Sequence, residues 1–317
     1  METIGTGALP RPKDNRDFGL ATYQQPVALP ETFTQDLSTI PVYMQGAYGT
    51  CGAHAGTVMD SALYNKALSP KYLWRQIKLI DGYPVEVGTD LRSIMKALTN
   101  TGDCSVLLSP NDLGTSITDY TDPSQITEEQ RKDAYQQDIN SYAFINSPSW
   151  DDIRQAIYQN KVVIARVGCG DGWWKDSEGI SSWEEEDVLP LKLGTYVSGH
   201  FIVLYGYDAN RIYFRNSWSN AWGKNGDGYF DRTYLPNVYE LGTALALPHA
   251  FIFKNNLWFG QTSNDILQLQ KRLGVQPQTG FFGSITLSAV RAYQKAHNIP
   301  STGFVGILTR ASLNTVV

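Results

Sequence analysis

Apolar residues recur at helical spacing in the first half of the chain. The repeats follow Cys51, Leu68 and Gly88, and each predicts an amphipathic helix. Ser69 followed by Pro70 is typical of a helix start, because serine caps the first turn and proline needs no hydrogen-bond partner there. The pattern therefore predicts three helices that build one lobe.

The second half changes to strand-like patterns. Residues 162–167 and 201–207 are apolar runs of strand length, and residues 211–215 alternate between polar and apolar. A turn at residues 208–210 joins the last two runs into a hairpin. Helices followed by strands predict an α+β fold.

The last 60 or so residues contain a repeat. Residues 279–286 and 302–309 share five of eight positions at an offset of 23, and each block is a glycine turn followed by a threonine. Helices are expected at residues 265–273, 287–297 and from Arg310 onward. The repeat predicts a separate unit of three helices.

Reactive chemistry is suggested at Cys51. The stretch Gln45–Ala55 reads QGAYGTCGAHA, a glycine-rich loop that leads into a helix at the cysteine. A helix N-terminus carries partial positive charge, which lowers the pKa of a thiol and favours the nucleophilic thiolate. The alternative is a small buried cysteine with a packing role.

A base for this thiol lies far along the chain. His200 opens one strand of the hairpin and Asn216 ends the next, so the two should be neighbours. An amide beside a histidine holds it in one tautomer, ready to accept a proton. His54 is a competing candidate three residues after Cys51, but on the same helix it has little freedom to reach a leaving group. We interpret His54 as a hydrogen-bonded core residue.

These residues resemble the pattern of the papain-like cysteine proteases. Gln45 lies six residues before Cys51, Asn216 lies sixteen after His200, and residues 216–229 read NSWSNAWGKNGDGY. The resemblance implies a two-lobed α+β fold with a helical lobe and a β-barrel-like lobe. It also implies that Gln45 donates to the oxyanion, that Trp218 shields the His200–Asn216 contact, and that Gly88 lies in the substrate wall.

The sequence departs from that family at four positions. Gly52 replaces a large aromatic residue, Tyr48 replaces a cysteine that forms a structural disulfide, Ser219 replaces a common glycine, and Asp227 interrupts the usual NGY. None of these changes removes a predicted catalytic group. They affect the expected shape of the cleft.

The tail resembles the peptidoglycan-binding domain of bacterial and phage cell-wall enzymes. The matching motifs lie at residues 265–273, 280–294 and 303–309. The resemblance implies binding to peptidoglycan, although related modules also serve for docking. We expect an N-terminal arm at 1–28 that is a possible short pro-segment, a protease domain at 29–256 and a peptidoglycan-binding-like domain at 257–317.

Composition narrows the possible functions. The net charge is −5 and the pI about 5.4, which gives no electrostatic case for nucleic acid. Apolar runs are too short to span a membrane, and the N-terminus has no secretory pattern. The four histidines and three cysteines lack metal-site spacing, so we expect no metal and no cofactor. Whether Cys104 and Cys169 form a disulfide stays open.

Two segments have alternative interpretations. The arm is either a strap on the protein surface or a latch across the cleft that restrains activity. Residues 168–196 hold Trp173, Trp174, Trp183 and the acidic run 184–187. They form either a solvated loop or a specificity loop that favours basic or extended substrates.

The leading hypothesis is a monomeric cysteine endopeptidase that hydrolyses protein or peptide substrates. Cys51, His200, Asn216 and Gln45 would carry the reaction, and residues 257–317 would bring the enzyme to a bacterial wall. One alternative is a hydrolase of peptidoglycan stem peptides, and another is a non-catalytic wall-binding or virion protein. The protein would be made in the cytoplasm and act at the wall or outside the cell, after lysis or non-standard export.

Overall fold

The chain divides into two compact units, residues 1–245 and 246–317. The computed structural model describes residues 5–14, 17, 19–22, 24–114, 116–170, 173, 197–245 and 253–315. The predicted domain boundaries at 28/29 and 256/257 stay predictions. Among the described helices, none is both long and apolar enough to cross a bilayer.

Six α-helices are described in the first unit, and the first three begin close to the predicted positions. They are α1 Cys51–Tyr64, α2 Pro70–Lys78, α3 Leu91–Thr101, α4 Ile117–Thr121, α5 Glu128–Ala134 and α6 Trp150–Asn160. Ser69 caps α2 as predicted, because its side chain accepts from the Tyr72 N–H and Pro70 takes the first position. Asp90 caps α3 by accepting from the N–H groups of Arg92 and Ser93.

Most described strands of the first unit form one sheet. The strands are β1 Ala8–Leu9, β2 Phe33–Thr34, β3 Thr89–Asp90, β4 Tyr142–Asn146, β5 Val163–Gly170, β6 Val197–Tyr207, β7 Ile212–Arg215, β8 Asp227–Phe230 and β9 Val238–Ala244. The sheet order is β4-β9-β5-β6-β7-β8, with β2 pairing on β6, and its pairs are antiparallel. Within the described residues, β4 and β8 are free ends, so the sheet is not a closed barrel. Separately, β1 pairs with β3 in parallel.

Helix α1 lies between the other helices and the sheet, packed against α2, α3 and β6. Nearly all its residues are buried, and glycine at positions 52 and 56 allows close packing. A Cβ on Gly52 would come within 2.6 Å of the Thr89 side chain, and one on Gly56 within 2.8 Å of Ile94. Thr89 and Ile94 thus fill the space beside Gly52, which explains why no large aromatic side chain is found there.

Buried carboxyl groups lie behind α1. Asp60 is fully buried, and within the described structure neither of its oxygens has a hydrogen-bond partner. Burial, followed by the nearby charges of Asp103 and Asp138, raises the pKa of Asp60 well above its ordinary value of 3.8. No group of His, Cys, Asp and Glu in the described part of the chain could hold a metal ion. Within the described residues, Asp60 is therefore a buried carboxylic acid with no ion-pair partner.

The second unit contains the predicted internal repeat. Its described helices are α7 Asn264–Arg272, α8 Ser284–Ala296 and α9 Ile307–Thr315. The Gln270 amide donates to the carbonyl of Phe281 and to Thr286, and its oxygen accepts from the N–H of Gly280.

Gln294 makes the same three contacts in the second half of the repeat. Its partners are Phe304, Thr309 and Gly303. Both glycines have positive φ, +68° at Gly280 and +81° at Gly303, which explains why glycine recurs in the repeat. Each half of the unit is therefore a glycine turn held by one buried glutamine.

Candidate active site

Cys51 is the first residue of α1, where the glycine loop ends, as the sequence predicted. The backbone N–H of Gln45 donates to the Ser217 carbonyl at 2.9 Å, which ties this loop to the chain that follows β7. The backbone of Phe201, the residue after His200, hydrogen-bonds to the Cys51 sulfur. The Cys51 sulfur thus lies against β6, next to the residue that follows His200.

His200 is held in one tautomer by Asn216. His200 Nε2 lies 2.8 Å from Asn216 Oδ1. The same oxygen accepts from the Ser217 N–H at 2.8 Å, which fixes the amide orientation and makes Nε2 the donor. His200 Nδ1 is buried and has no hydrogen-bond partner in the described structure. The second ring nitrogen is therefore available to accept a proton.

Two tryptophans lie beside the ring of His200, and a third packs against both of them. The Trp218 ring centroid lies 4.9 Å from that of His200, and Trp173 meets His200 edge-on at 5.8 Å. Trp222 stacks on Trp173 at 6.0 Å. Removing water strengthens the histidine–amide bond, because the local dielectric is lower. The family resemblance implied this shielding for Trp218, and residues 168–196, which include Trp173, were expected to form either a solvated loop with aromatic residues packed beneath it or a specificity loop.

Gln45 is buried and its amide is fully engaged. Ser217 Oγ donates to Gln45 Oε1 at 2.5 Å. Gln45 Nε2 donates to the carbonyl oxygens of Gly5 at 2.9 Å and Tyr48 at 2.8 Å. Ser217 therefore fixes the orientation of the amide, and the carbonyl oxygens of Gly5 and Tyr48 accept from its nitrogen.

The N-terminal arm passes directly over this site. We call residues 5–9 the cleft segment. The N–H of Gly5 donates to the Gly46 carbonyl and the N–H of Thr89 donates to the Gly7 carbonyl, both at 2.9 Å. Ala8 and Leu9 continue as β1 along β3. Gly88, the predicted substrate-wall residue, lies against Gly7, since a Cβ on Gly88 would come within 1.6 Å of the Gly7 oxygen.

Charged residues anchor the arm beyond the cleft segment. Arg11 Nε bonds to Glu240 at 3.0 Å, and the Arg11 guanidinium lies 3.8 Å from the centre of the Phe144 ring. Asp17 bonds to Arg11 and also accepts from Arg92 Nε at 2.9 Å. These side chains are largely buried, so the anchor is shielded from solvent.

The thiol and the imidazole are both neutral beneath the cleft segment. Burial raises the pKa of Cys51 to about 11, and hydrogen bonds from the backbone of Phe201 and Gly7 only partly oppose this. Burial lowers the pKa of His200 to about 4 against the effect of its bond to Asn216. We expected the helix N-terminus to lower the thiol pKa. Burial outweighs it here, because the arm and both lobes enclose the sulfur.

The other histidine of α1 is part of the core. His54 is fully buried, with Nδ1 2.9 Å from the Thr50 carbonyl and Nε2 3.4 Å from the amide of Asn111. Burial lowers the pKa of His54 to about 4. Both ring nitrogens have partners, which agrees with a structural role. The three cysteines are free, so Cys104 and Cys169 form no disulfide in this structure.

Ser219 has a left-handed backbone at the position where glycine was expected. Its φ is +67°, a conformation that costs a residue with a Cβ roughly 1 kcal/mol or more. We therefore expect Ser219→Gly to raise the free energy of unfolding by about 1 kcal/mol, measured by urea denaturation. Ser38→Gly, at a solvent-exposed residue without positive φ, serves as the control and should give no gain. Equal effects of the two changes would contradict the assignment of strain to Ser219.

The acidic run 184–187, with Trp174 and Trp183, lies outside the described residues. The proposed specificity loop therefore stays a prediction. Trp173, the described member of the segment between β5 and β6, is fully buried and donates to the Tyr234 hydroxyl at 3.1 Å.

Two family models match this chain, one in each of the two compact units. A family model described as papain family cysteine protease matches residues 80–242, just over half of the chain. A model described as a putative peptidoglycan binding domain matches residues 262–313. The chain belongs to the papain family of cysteine proteases and carries a second domain of the peptidoglycan-binding type. The protease match includes His200 and Asn216 and begins after Gln45 and Cys51.

Individual relatives agree with this assignment. Peptidase 1 of Euroglyphus maynei is 23% identical over 239 residues, which cover 72% of this chain and 70% of that protein. Among solved structures, xylellain, a cysteine protease from Xylella fastidiosa, has a TM-score of 0.60 at 20% identity, covering 78% of this chain and 97% of that chain.

Digestive procathepsin L 3 of Tenebrio molitor larval midgut is a second structural neighbour. It has a TM-score of 0.55 at 16% identity, covering 76% of this chain and 75% of that one. The predicted papain-like α+β fold with a helical C-terminal domain is therefore confirmed.

Proposed function

We propose that the protein is an endopeptidase that uses Cys51, His200, Asn216 and Gln45. The observation that carries the proposal is His200, whose Nε2 is fixed by Asn216 while Nδ1 stays buried without a partner in the described structure. A buried nitrogen without a hydrogen-bond partner destabilises the protein and therefore calls for an explanation. The backbone of the next residue, Phe201, contacts the Cys51 thiol, which is the proton donor in the proposed reaction.

In the proposed reaction, His200 Nδ1 takes the proton of the Cys51 thiol, and the sulfur attacks the carbonyl carbon of a peptide bond. The resulting oxyanion is held by Gln45 Nε2 and the backbone N–H of Cys51, donors that are worth about 3 kcal/mol each in comparable sites. His200 then gives the proton to the leaving amine. Water, deprotonated by His200, hydrolyses the thioester and restores the thiol.

Labelling with a papain-type epoxide tests the proposal. Because the thiol is covered by the arm, the assay includes a chain from which residues 1–9 are deleted. We expect one covalent adduct in the intact mass of that chain, none after Cys51→Ala, and a labelling rate at least about 100-fold lower after His200→Ala. His54→Asn changes a histidine of the same helix and should retain labelling if it folds. The assignment is refuted if an adduct persists after Cys51→Ala. It is also refuted if neither the full-length chain nor the chain without residues 1–9 forms an adduct.

We further propose that the second domain brings the protease to peptidoglycan. The match of residues 262–313 supports this, and Trp258 and Phe304 form an exposed stacked pair with ring centroids 6.3 Å apart. Full-length Cys51→Ala protein is expected to sediment with purified bacterial walls and less so after Trp258→Ala. Cellulose provides a control particle. Equal sedimentation with both particles would contradict specific wall binding.

Two other functions remain distinguishable. A hydrolase of peptidoglycan stem peptides would reduce the turbidity of purified walls, whereas an enzyme acting only on proteins would cleave casein and leave the walls intact. A non-catalytic wall-binding protein would fail to label at Cys51 even after the arm is removed. Because the thiol is neutral and covered by the arm in the full chain, the three candidate functions are best distinguished on the chain without residues 1–9.

A further inference from the structure

The cleft segment shows how this site holds a peptide backbone. Its carbonyls at Gly5 and Gly7 accept from Gln45 Nε2 and from the Thr89 N–H, each at 2.9 Å. The backbone of Gly7 also hydrogen-bonds to the Cys51 sulfur. A peptide is therefore already bound by its backbone across the nucleophile.

Two alternate positions of that peptide are glycines that cannot carry a side chain in this place. A Cβ on Gly5 would lie 2.1 Å from the Tyr48 carbonyl oxygen, and a Cβ on Gly7 would lie 2.4 Å from that of Gly49. These obstacles are backbone atoms of the loop that leads into α1. Unlike a flexible side chain, they cannot rotate away.

Glycine residues also form the walls of the cleft, so backbone atoms face the peptide there. A Cβ on Gly88 would come within 1.6 Å of the Gly7 oxygen, and one on Gly199 within 2.0 Å of the Ala8 oxygen. Gly49 lies beside Gly88, since a Cβ on Gly49 would come within 3.4 Å of the Gly88 nitrogen. The peptide thus rests between backbone surfaces from both lobes, and the fit is steric on each side.

From this geometry we infer that the cleft selects peptides with glycine at two alternate positions, matching Gly5 and Gly7 on either side of Thr6. This inference rests on the proposed function and specifies its substrate class: peptides that contain a glycine–any residue–glycine sequence at the reacting site. The residues that determine the selection are Gly49, Gly88 and Gly199, together with the Tyr48 carbonyl.

The first test uses the full-length chain and its own arm. Gly7→Val should expel the cleft segment, so that epoxide labelling of Cys51 rises by roughly 100-fold. Gly19→Val changes another arm glycine, whose Cβ would meet only a Thr22 side-chain atom at 3.8 Å, and should label as slowly as the wild type. If Gly7→Val labels no faster than Gly19→Val, the cleft tolerates a side chain and the inference is overturned.

The second test measures selectivity in the Gly7→Val chain. The substrates are internally quenched peptides with Gly-Thr-Gly at the centre, and matched peptides with valine, leucine or phenylalanine in place of the two glycines. We expect kcat/KM to be about 100-fold higher for the peptide with the two glycines. Labelling of Cys51 with equal cleavage of the bulky peptides would overturn the selectivity and leave the proposed function intact. Failure to label would overturn both.

Discussion

Deleting residues 1–9 is expected to raise the rate of epoxide labelling of Cys51 by about 100-fold at pH 7. The hydrogen bonds that hold the cleft segment include those from Gly5 to Gly46, from Gln45 to Gly5 and from Thr89 to Gly7. At about 1 kcal/mol each they stabilise the closed state by about 3 kcal/mol, which corresponds to a population ratio of about 100. Deletion removes these contacts and retains the Arg11–Asp17 anchor.

The pH dependence of labelling should change as well. In the full chain, burial holds the Cys51 pKa at about 11, so labelling should increase about tenfold per pH unit well into the alkaline range. Exposure of the thiol lowers its pKa, and the shortened chain should reach its maximal rate at a lower pH. The labelling rates of the full and the shortened chain are measured by quenching the reaction at several times and determining the intact mass. Identical pH profiles would show that the arm does not control the thiol, and the surface-strap interpretation would then hold.

Replacing Asp60 by asparagine is expected to stabilise the protein increasingly as the pH rises. Folding raises the pKa of Asp60, so the folded protein holds this proton more tightly than the unfolded chain. The stability that Asp60 contributes is therefore fully present below its ordinary pKa of 3.8 and is lost as the pH rises toward the folded pKa. In that window each pH unit costs about 1.4 kcal/mol. The asparagine amide pays no such cost.

The measurement is the difference in free energy of unfolding between Asp60→Asn and wild type at several pH values above 4. Groups that titrate in both proteins, including the two buried histidines, cancel in this difference. Asp36→Asn is the matched control, because Asp36 is fully exposed and its pKa is lowered by hydrogen bonds to Ser38. A difference for Asp60→Asn that stays constant with pH would show that Asp60 is ionised in the folded protein.

Features set by local sequence were predictable. The start of α1 at Cys51, the cap at Ser69 and the paired glycine turns of the tail all follow from neighbouring residues. The nearness of His200 and Asn216 followed from a short hairpin. In each case the spacing of a few residues fixes the geometry, and the tertiary structure only preserves it.

Features set by distant contacts were not predictable. The arm offered glycines at positions 5 and 7, but nothing in the sequence paired them with Gly46 and Thr89. Nothing in the sequence showed that the Trp173 ring would contact His200. Nor did the sequence show that Asp60 would be fully buried. The thiol pKa was expected to fall because only the helix end was visible in the sequence, whereas burial depends on the whole fold.

The covered state of Cys51 also bears on its chemical durability. Peroxide oxidises the thiolate far more readily than the thiol, and a sulfur with a pKa of about 11 is almost entirely protonated near neutral pH. The backbone of Gly7 also hydrogen-bonds to that sulfur. The contacts between the arm and the thiol should therefore slow its conversion to sulfenic acid for as long as the arm stays in place.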